Sequence, residues 1–279
     1  MNRYDKTFAR LRKSGETAFI PFAVAGDPDP ATSEAIFKAY IDGGADILEI
    51  GYPFSDPIAD GPVNQRSAQR AIAAGIAPVS FFRLIKTIRH YNNDIPIGLL
   101  LYANTVHHLG YRTFCRKAAD AGIDSLLIAD MPPEEYAAAG AAMRETGLSR
   151  VFIVSELTPA DRMRMITGQA DAFVYVVSRL GTTGTGATLS GSVGATLARL
   201  KKVTGKPLAV GFGISTPDHV REVAAAGADG VIVGSALVKI IEKNLENREK
   251  LPALLAKKVQ LYKKATRKHA AEGRVTHVG

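Results

Sequence analysis

Three carboxylates crowd the segment LEIGYPFSDPIADGP at residues 48–62: Glu49, Asp56 and Asp60, set among prolines and glycines directly after a short apolar run. Asp, Gly and Pro are ordinary turn residues, so a polar surface turn is one reading. The other is a stiffened catalytic loop holding a pair of carboxylates across a reacting molecule. Glu49 stands apart because it lies inside the apolar run, between Leu48 and Ile50. A carboxylate there is partly desolvated, which raises its pKa and suits proton transfer near neutrality. The quieter alternative for Glu49 is a buried ion pair with a basic group.

Other chemistries have few candidates. Lys86, Lys117 and Lys201 fall in helical patterns, so no lysine sits at a strand end where a Schiff base would form. His90, His107, His108, His219, His269 and His277 make no HxH or HxxxH pair at a strand end, His107 and His108 being adjacent in a loop. No metal site is expected, and no Gly-x-Ser-x-Gly elbow is present. Glycine-rich turns do recur: RLGTTGTGAT (179–188), VGFGIST (210–216) and VGSALVKI (233–240). Gly211, Gly213 and Gly234 permit close backbone approach, and Ser235 opens a helix with a hydroxyl, as a phosphate site requires. The loop at 181–188 has the composition of a closing lid.

Positioning these groups falls to a repeated junction of small residues and an Asp ahead of a buried-type strand: GGADILEI (43–50), AGIDSLLIAD (121–130), GQADAFVYVV (168–177) and AGADGVIVG (226–234). The interval from Asp46 to Asp124 suits two strand–helix units; those to Asp171 and on to Asp229 suit one unit and a loop. Apolar runs predict strands at 18–24, 46–50, 96–102, 125–129, 151–155, 172–177, 207–211 and 230–234, covered on both sides. Helices are expected around 31–43, 78–91, 111–121, 133–147, 159–167, 192–204, 216–226 and 235–243. Eight such units and no GxGxxG turn after the first strand favour an α/β fold of the closed (β/α)8 type, one domain over residues 1–279. In such a barrel the C-terminal strand ends carry the site. Alternation then puts Glu49 on a face with Ile47, Leu100 with Tyr102, Leu127 with Ala129, and Phe173 with Tyr175.

Composition sets outer bounds. The 279 residues are 46% hydrophobic and 22% charged, ordinary for a globular chain with a full core. No apolar run reaches membrane-span length, and MNRYDKTFARLRKSGE reads as a short amphipathic helix, with Tyr4, Phe8 and Leu11 in register, rather than a signal peptide. A lone Cys115 fits a reducing cytoplasm and, within a helical pattern, a structural thiol. Of the net charge of +8, nearly all falls in residues 243–268, where nine Lys/Arg face two Glu. Leu251, Leu254, Leu255, Val259 and Tyr262 keep helical spacing there, so the lysines read as a solvated face, not a nucleic-acid site.

LEIGYPFSDPIADGPVNQ resembles the signature of the tryptophan synthase alpha subunit family. YAN (102–104), ADMPPEE (129–135), SRLGTTG (178–184), GFGIS (211–215) and GSALVKIIE (234–242) extend the likeness from about residue 5 to 265. The resemblance implies a cytoplasmic TIM-barrel lyase of tryptophan biosynthesis that cleaves indole-3-glycerol phosphate to indole and D-glyceraldehyde 3-phosphate. Catalysis then falls to Glu49 and Asp60 without a metal. The substrate pocket falls to Phe22, Leu100, Tyr102, Leu127, Ala129 and Tyr175, and the phosphate to Gly184, Gly211, Phe212, Gly213, Gly234 and Ser235. Thr183 matches the lid threonine that bonds the Asp60 position on closure. Pro53, Phe54 and Asp56 match a contact loop for a beta subunit in an alpha2-beta2 heterotetramer, and PLP belongs to that partner, leaving this chain without a cofactor. Tyr52, Asn64, Thr105 and the SELTP segment with Glu156 depart from the family pattern, Asn64 standing where an apolar residue is usual. A stand-alone lyase and a non-catalytic partner-binding barrel are the alternatives.

Overall fold

The computed structural model describes residues 2–177 and 189–267. Its strands are β1 (Ala18–Val24), β2 (Leu48–Gly51), β3 (Ile97–Leu101), β4 (Ser125–Ile128), β5 (Ser149–Arg150), β6 (Phe152–Ser155), β7 (Val174–Val177), β8 (Leu208–Gly211) and β9 (Gly230–Val233). Neighbours run β5-β4-β3-β2-β1-β9-β8-β7-β6, all parallel. The two ends of that order are consecutive in sequence, with only Val151 between β5 and β6. Val151 donates its N–H to the Leu126 carbonyl at 3.1 Å. β5 and β6 are therefore two parts of one stave, and the sheet closes into the expected (β/α)8 barrel.

The helices are α1 (Arg3–Ser14), α2 (Pro30–Asp42), α3 (Pro62–Ala73), α4 (Pro78–Tyr91), α5 (Ala103–Leu109), α6 (Tyr111–Ala121), α7 (Ala137–Thr146), α8 (Ala160–Gln169), α9 (Leu189–Lys201), α10 (Pro217–Ala225), α11 (Ser235–Glu242) and α12 (Leu251–Ala265). Among the described residues no single helix is long and apolar enough to cross a membrane. Two helices were not expected. α5 occupies the segment read as the loop of His107 and His108, with only Val106 buried. α3 begins Gly-Pro, a turn signal, and buries Ser67, Ala68 and Ala71, side chains too small to write an apolar period. It is held by polar contacts instead: Arg70 donates to Asp27 at 2.7 and 2.8 Å, and Ser67 also donates to Asp27.

The repeated Asp is a clamp. Asp46, Asp124, Asp171 and Asp229 each accept, through Oδ2, the main-chain N–H of Phe19, Ile97, Arg150 and Leu208 respectively, at 2.9, 2.8, 3.1 and 3.0 Å. Each Asp also donates its own N–H to the carbonyl of that same residue, at 3.0, 2.8, 2.9 and 2.8 Å. The clamps tie each odd stave to the even one after it, so all three intervals between these Asp residues span two units. That corrects the one-unit reading of the last two. Cations gather on the same carboxylates: Arg10 and Lys263 on Asp46, Arg3 and Arg89 on Asp124, Arg150 on Asp171. Lys263 is thus drawn inward from a helix whose lysines were read as solvated, while Leu254 faces solvent.

Inside the barrel, Ile20, Ile47, Leu127, Val151, Phe173, Ala209 and Ile232 pack with Tyr4, Phe8 and Leu11 of α1. The Tyr4 and Phe8 rings meet Phe173 at 5.7 and 6.4 Å, and the Tyr4 and Ser125 hydroxyls are 2.7 Å apart. α1 thereby plugs the end of the barrel at which the strands begin.

Asp124→Ala removes the acceptor of the Ile97 N–H and the carboxylate partner of Arg89, which is 8% exposed. Stranding a buried guanidinium costs about 3–5 kcal/mol. Urea unfolding is expected to register a loss of that order; a change below ~1 kcal/mol would show the clamp to be dispensable.

Candidate active site

Glu49 lies mid-strand in β2, in register with Phe22 on one side and Gly98 on the other. A side chain at Gly98 would press on the Tyr4 hydroxyl at 2.8 Å, so glycine there leaves the plug seated directly beneath Glu49. Sealed below by Tyr4 and flanked by apolar staves, Glu49 is 5% exposed. Burial pushes its pKa up to about 8, and the nearby Asp60 charge adds to the rise. At neutral pH this carboxyl holds its proton.

Asp60 closes the loop that follows β2, one residue before Gly61, the N-cap of α3. Burial raises its pKa as well, but two donors oppose the shift: the Tyr102 hydroxyl, at 2.7 Å from Oδ2, and the Asn64 amide, at 3.3 Å from Oδ1. The Tyr102 hydroxyl in turn accepts the Ala59 N–H at 3.1 Å, and its ring stacks on Phe54 at 5.2 Å. An approaching helix N-terminus further favours the ionised form of Asp60. Both carboxyls are pushed up by burial, Glu49 to about 8, while the two donors hold back the rise at Asp60 alone, so the environments of the pair differ as paired acid and base roles require.

Both line a cleft of about 430 Å³ at the C-terminal end of the staves. Phe22, Leu100, Tyr102, Ala129 and Tyr175 form its apolar walls, and Phe212, Gly213, Gly234 and Ser235 its far end. Leu127 lies one layer below, in the small void beside Tyr4 and Ile47, because Ala129 takes the wall position two residues on. Gly211 is also outside the wall; any side chain there would strike the Tyr175 hydroxyl, so its role is to seat that ring. Thr183 and Gly184, with the lid segment, lie outside the described residues.

At the far end the chain turns after β8 through Phe212 (φ 81°) and Gly213 (φ 74°), two successive left-handed residues. A non-glycine residue held there costs of the order of 1–3 kcal/mol, strain of the kind that collects at binding sites. Gly234 caps α11 without a side-chain hydrogen bond, leaving the helix's first N–H groups uncapped at the cleft. A side chain at 234 would meet Phe22 at 3.3 Å. Two glycine turns and a helix N-terminus make a suitable anion seat.

Sequence reasoning missed Val63, Ile153, Val177 and Ile232 on the wall. Ile153 and Ile232 follow from strand alternation, which was applied to other staves, and Val177 from carrying the Phe173–Tyr175 face two residues further. Asn64 was noted as a departure and assigned no role. Among the described residues no group of three or more His, Cys, Asp or Glu side chains is arranged for a metal ion. Cys115 is fully buried in α6, and burial pushes its thiol up to about 11. In the segment after β2, Pro53 is buried, Phe54 half-buried and Asp56 exposed; Ile58 nearby is 80% exposed.

The family model described as "Tryptophan synthase alpha chain" matches residues 8–267. The chain is 46% identical over 265 residues to the tryptophan synthase alpha chain of Methanoregula boonei, covering 95% of this chain and 98% of that one. To the alpha chain of Vibrio cholerae it is 43% identical over 267 residues, covering 96% and 100%. The crystal structure of the alpha chain from Legionella pneumophila superposes with a TM-score of 0.88 at 32% identity, over 98% of this chain and 100% of that one. A structure of Mycobacterium tuberculosis tryptophan synthase gives 0.84 at 30% identity, over 96% and 99%.

The raised Glu49 pKa has a consequence for stability. Its folded value of about 8 exceeds the unfolded value of about 4.3. The stability conferred by the neutral carboxyl is complete below the lower value and is lost as pH rises toward the upper one. Glu49→Gln is therefore expected to gain in Tm over the parent between about pH 5 and pH 8, with the gain constant above. A Tm difference independent of pH would mean that Glu49 ionises freely.

Proposed function

The chain belongs to the tryptophan synthase alpha chain family, and on that premise we propose that it cleaves indole-3-glycerol phosphate to indole and D-glyceraldehyde 3-phosphate through Glu49 and Asp60. This is a carbon–carbon bond lysis by carboxylates, with no cofactor held by this chain. The observation that carries the assignment is a protonated Glu49 and an Asp60 held by two hydrogen-bond donors in one cleft whose other end is a glycine-built anion seat. The apolar walls of Phe22, Leu100 and Tyr175 suit an indole ring, and the uncapped start of α11 suits the phosphate.

The residues close a proton cycle. Glu49 gives its proton to the ring carbon that bears the glycerol chain, and positive charge develops on the ring nitrogen. The Asp60 carboxylate faces that N–H and stabilises it. Glu49, now ionised in a poorly solvated site, takes the proton of the adjacent glycerol hydroxyl. The hydroxyl carbon becomes an aldehyde as the carbon–carbon bond breaks, and its electrons return to the ring to give indole. Glu49 ends protonated as it began.

The same reading extends to the partner. A PLP-bearing beta subunit of alpha2-beta2 stoichiometry is the expected recipient of indole, in the cytoplasm, with PLP held by that subunit alone. Pro53, Phe54 and Asp56 form the docking loop, and Phe54 stacks on the tyrosine that holds Asp60, so a grip on this loop reaches the catalytic carboxylate through one ring contact.

Glu49→Gln and Asp60→Asn are each expected to fold, by circular dichroism, and to lose about 10²–10⁴-fold in indole release, the range of positioned acid–base groups. Near-parental turnover by either variant removes that residue from the mechanism. Asp56→Ala is expected to diminish the acceleration given by an added beta subunit while the isolated chain turns over at the parental rate. Undiminished acceleration would place the docking contact elsewhere.

A further inference from the structure

Asn64 is the polar group on the cleft wall that the proposed chemistry leaves without a role. It sits in the first turn of α3, four residues after Asp60, and its side-chain nitrogen donates to Asp60 Oδ1 at 3.3 Å. Its carbonyl oxygen Oδ1 is buried and has no hydrogen-bond partner. A buried acceptor left unpaired costs stability, and a leucine of similar volume would avoid that cost. The orientation of the amide nevertheless follows from its neighbour: turned over, it would set a carbonyl oxygen against a carboxylate oxygen. The amide thus faces Asp60 at the expense of its own acceptor.

We propose that Asn64 is a positioning residue for Asp60, fixing the rotation of its carboxylate together with Tyr102 and holding it ionised for the substrate's ring N–H. The two donors divide the carboxylate between them, Tyr102 on Oδ2 and Asn64 on Oδ1. With one oxygen held, the carboxylate plane can still rotate about its bond to Cβ; with both held, it cannot. The groups facing Asp60 give no other support for its charge. Glu49 comes from β2, Tyr102 from the end of β3 and Tyr175 from β7, all acids or phenols, and no Lys, Arg or His lines the cleft among the described residues. The remaining help is the start of α3, on which Asn64 itself rides. Burial raises the Asp60 pKa, and the Tyr102 and Asn64 hydrogen bonds act against that rise.

The inference rests on the proposed role of Asp60, and the test separates the two. Asn64→Leu is made in the full chain, and the Asp60 carboxyl is titrated by carbon NMR alongside the pH profile of kcat for indole release. Loss of one ordinary hydrogen bond to the ionised form is expected to raise the Asp60 titration by about half to one pH unit. The acidic limb of kcat should move by the same amount, and Tm should hold or rise because the orphaned acceptor is gone. Asn64→Gln, which keeps the amide, is expected to restore part of the limb. An Asp60 titration unchanged in Asn64→Leu overturns the inference, as does a fall in Tm with no shift in either curve, the mark of a merely structural side chain. A shifted titration with an unmoved kcat limb upholds Asn64 as the residue that tunes Asp60 and strikes instead at the role proposed for Asp60.

Discussion

A carboxylate at the foot of every second stave, reaching back to the main-chain N–H of the stave before it, is the contact on which the barrel rests. Parallel strands cannot be joined by tight turns; each pair waits on a helix-length crossover before its ladder can form. The reciprocal bonds of Asp46, Asp124, Asp171 and Asp229 close that crossover at a defined register. They turn eight staves into four locked pairs. Register matters because a slip of one residue would carry Glu49 from the interior face to the helix-facing one. The clamps also collect cations, Arg3, Arg10, Arg89, Arg150 and Lys263, at the end of the barrel where the strands begin. Stability is concentrated there, and the opposite end is left free for loops that serve the cleft.

That allocation of charge is what gives the two cleft carboxylates their character. With the cations engaged at the far end, none lines the cleft among the described residues, and the pair is exposed to burial and to one another. Glu49 yields because the plug of Tyr4 seals it from below and apolar staves flank it. Asp60 resists because two hydrogen-bond donors and a helix start are aimed at it. One fold thus sets two like groups apart by burial and by donated hydrogen bonds, with no basic residue lining the cleft among the described residues.

The barrel was legible because buried parallel strands and glycine-ended helices leave strong local patterns; α4 and α6 fall at the boundaries read from sequence. What escaped was held by contacts rather than by period. α3 buries Ser, Ala and Ala and owes its place to Asp27, some forty positions away, so no window of sequence contains its reason for being a helix. Stave five breaks at Val151 into two ladders with different partners, which one apolar run cannot disclose. In the site, Glu49 announced itself as an acid inside an apolar strand. Leu127 and Gly211 did not separate from true wall residues, because alternation reports a face and not a depth along the barrel. The significance of Asn64 was invisible for a related reason: an unpaired carbonyl is a property of the packed cleft.

α3 also sets the span of the cleft. Its N-terminus presents Asp60, and the N-terminus of α11 presents Gly234 and Ser235, so the two ends of the cleft are set by two helix starts. The helices touch, and Arg66 and Arg70 of α3 reach Glu242 at the far end of α11 at 2.6 and 3.3 Å. Exposed pairs of this kind add little stability. The Arg70–Asp27 pair is different, since Asp27 is 1% exposed and its carboxylate takes three donated hydrogen bonds from α3. It fixes the helix to the first stave, whose Phe22 forms the wall between Glu49 and Gly234. A substrate that spans the cleft is therefore measured against a frame of one strand and two helices. The residues that carry that frame, Asp27, Arg70 and Glu242, stand outside the lining of the cleft.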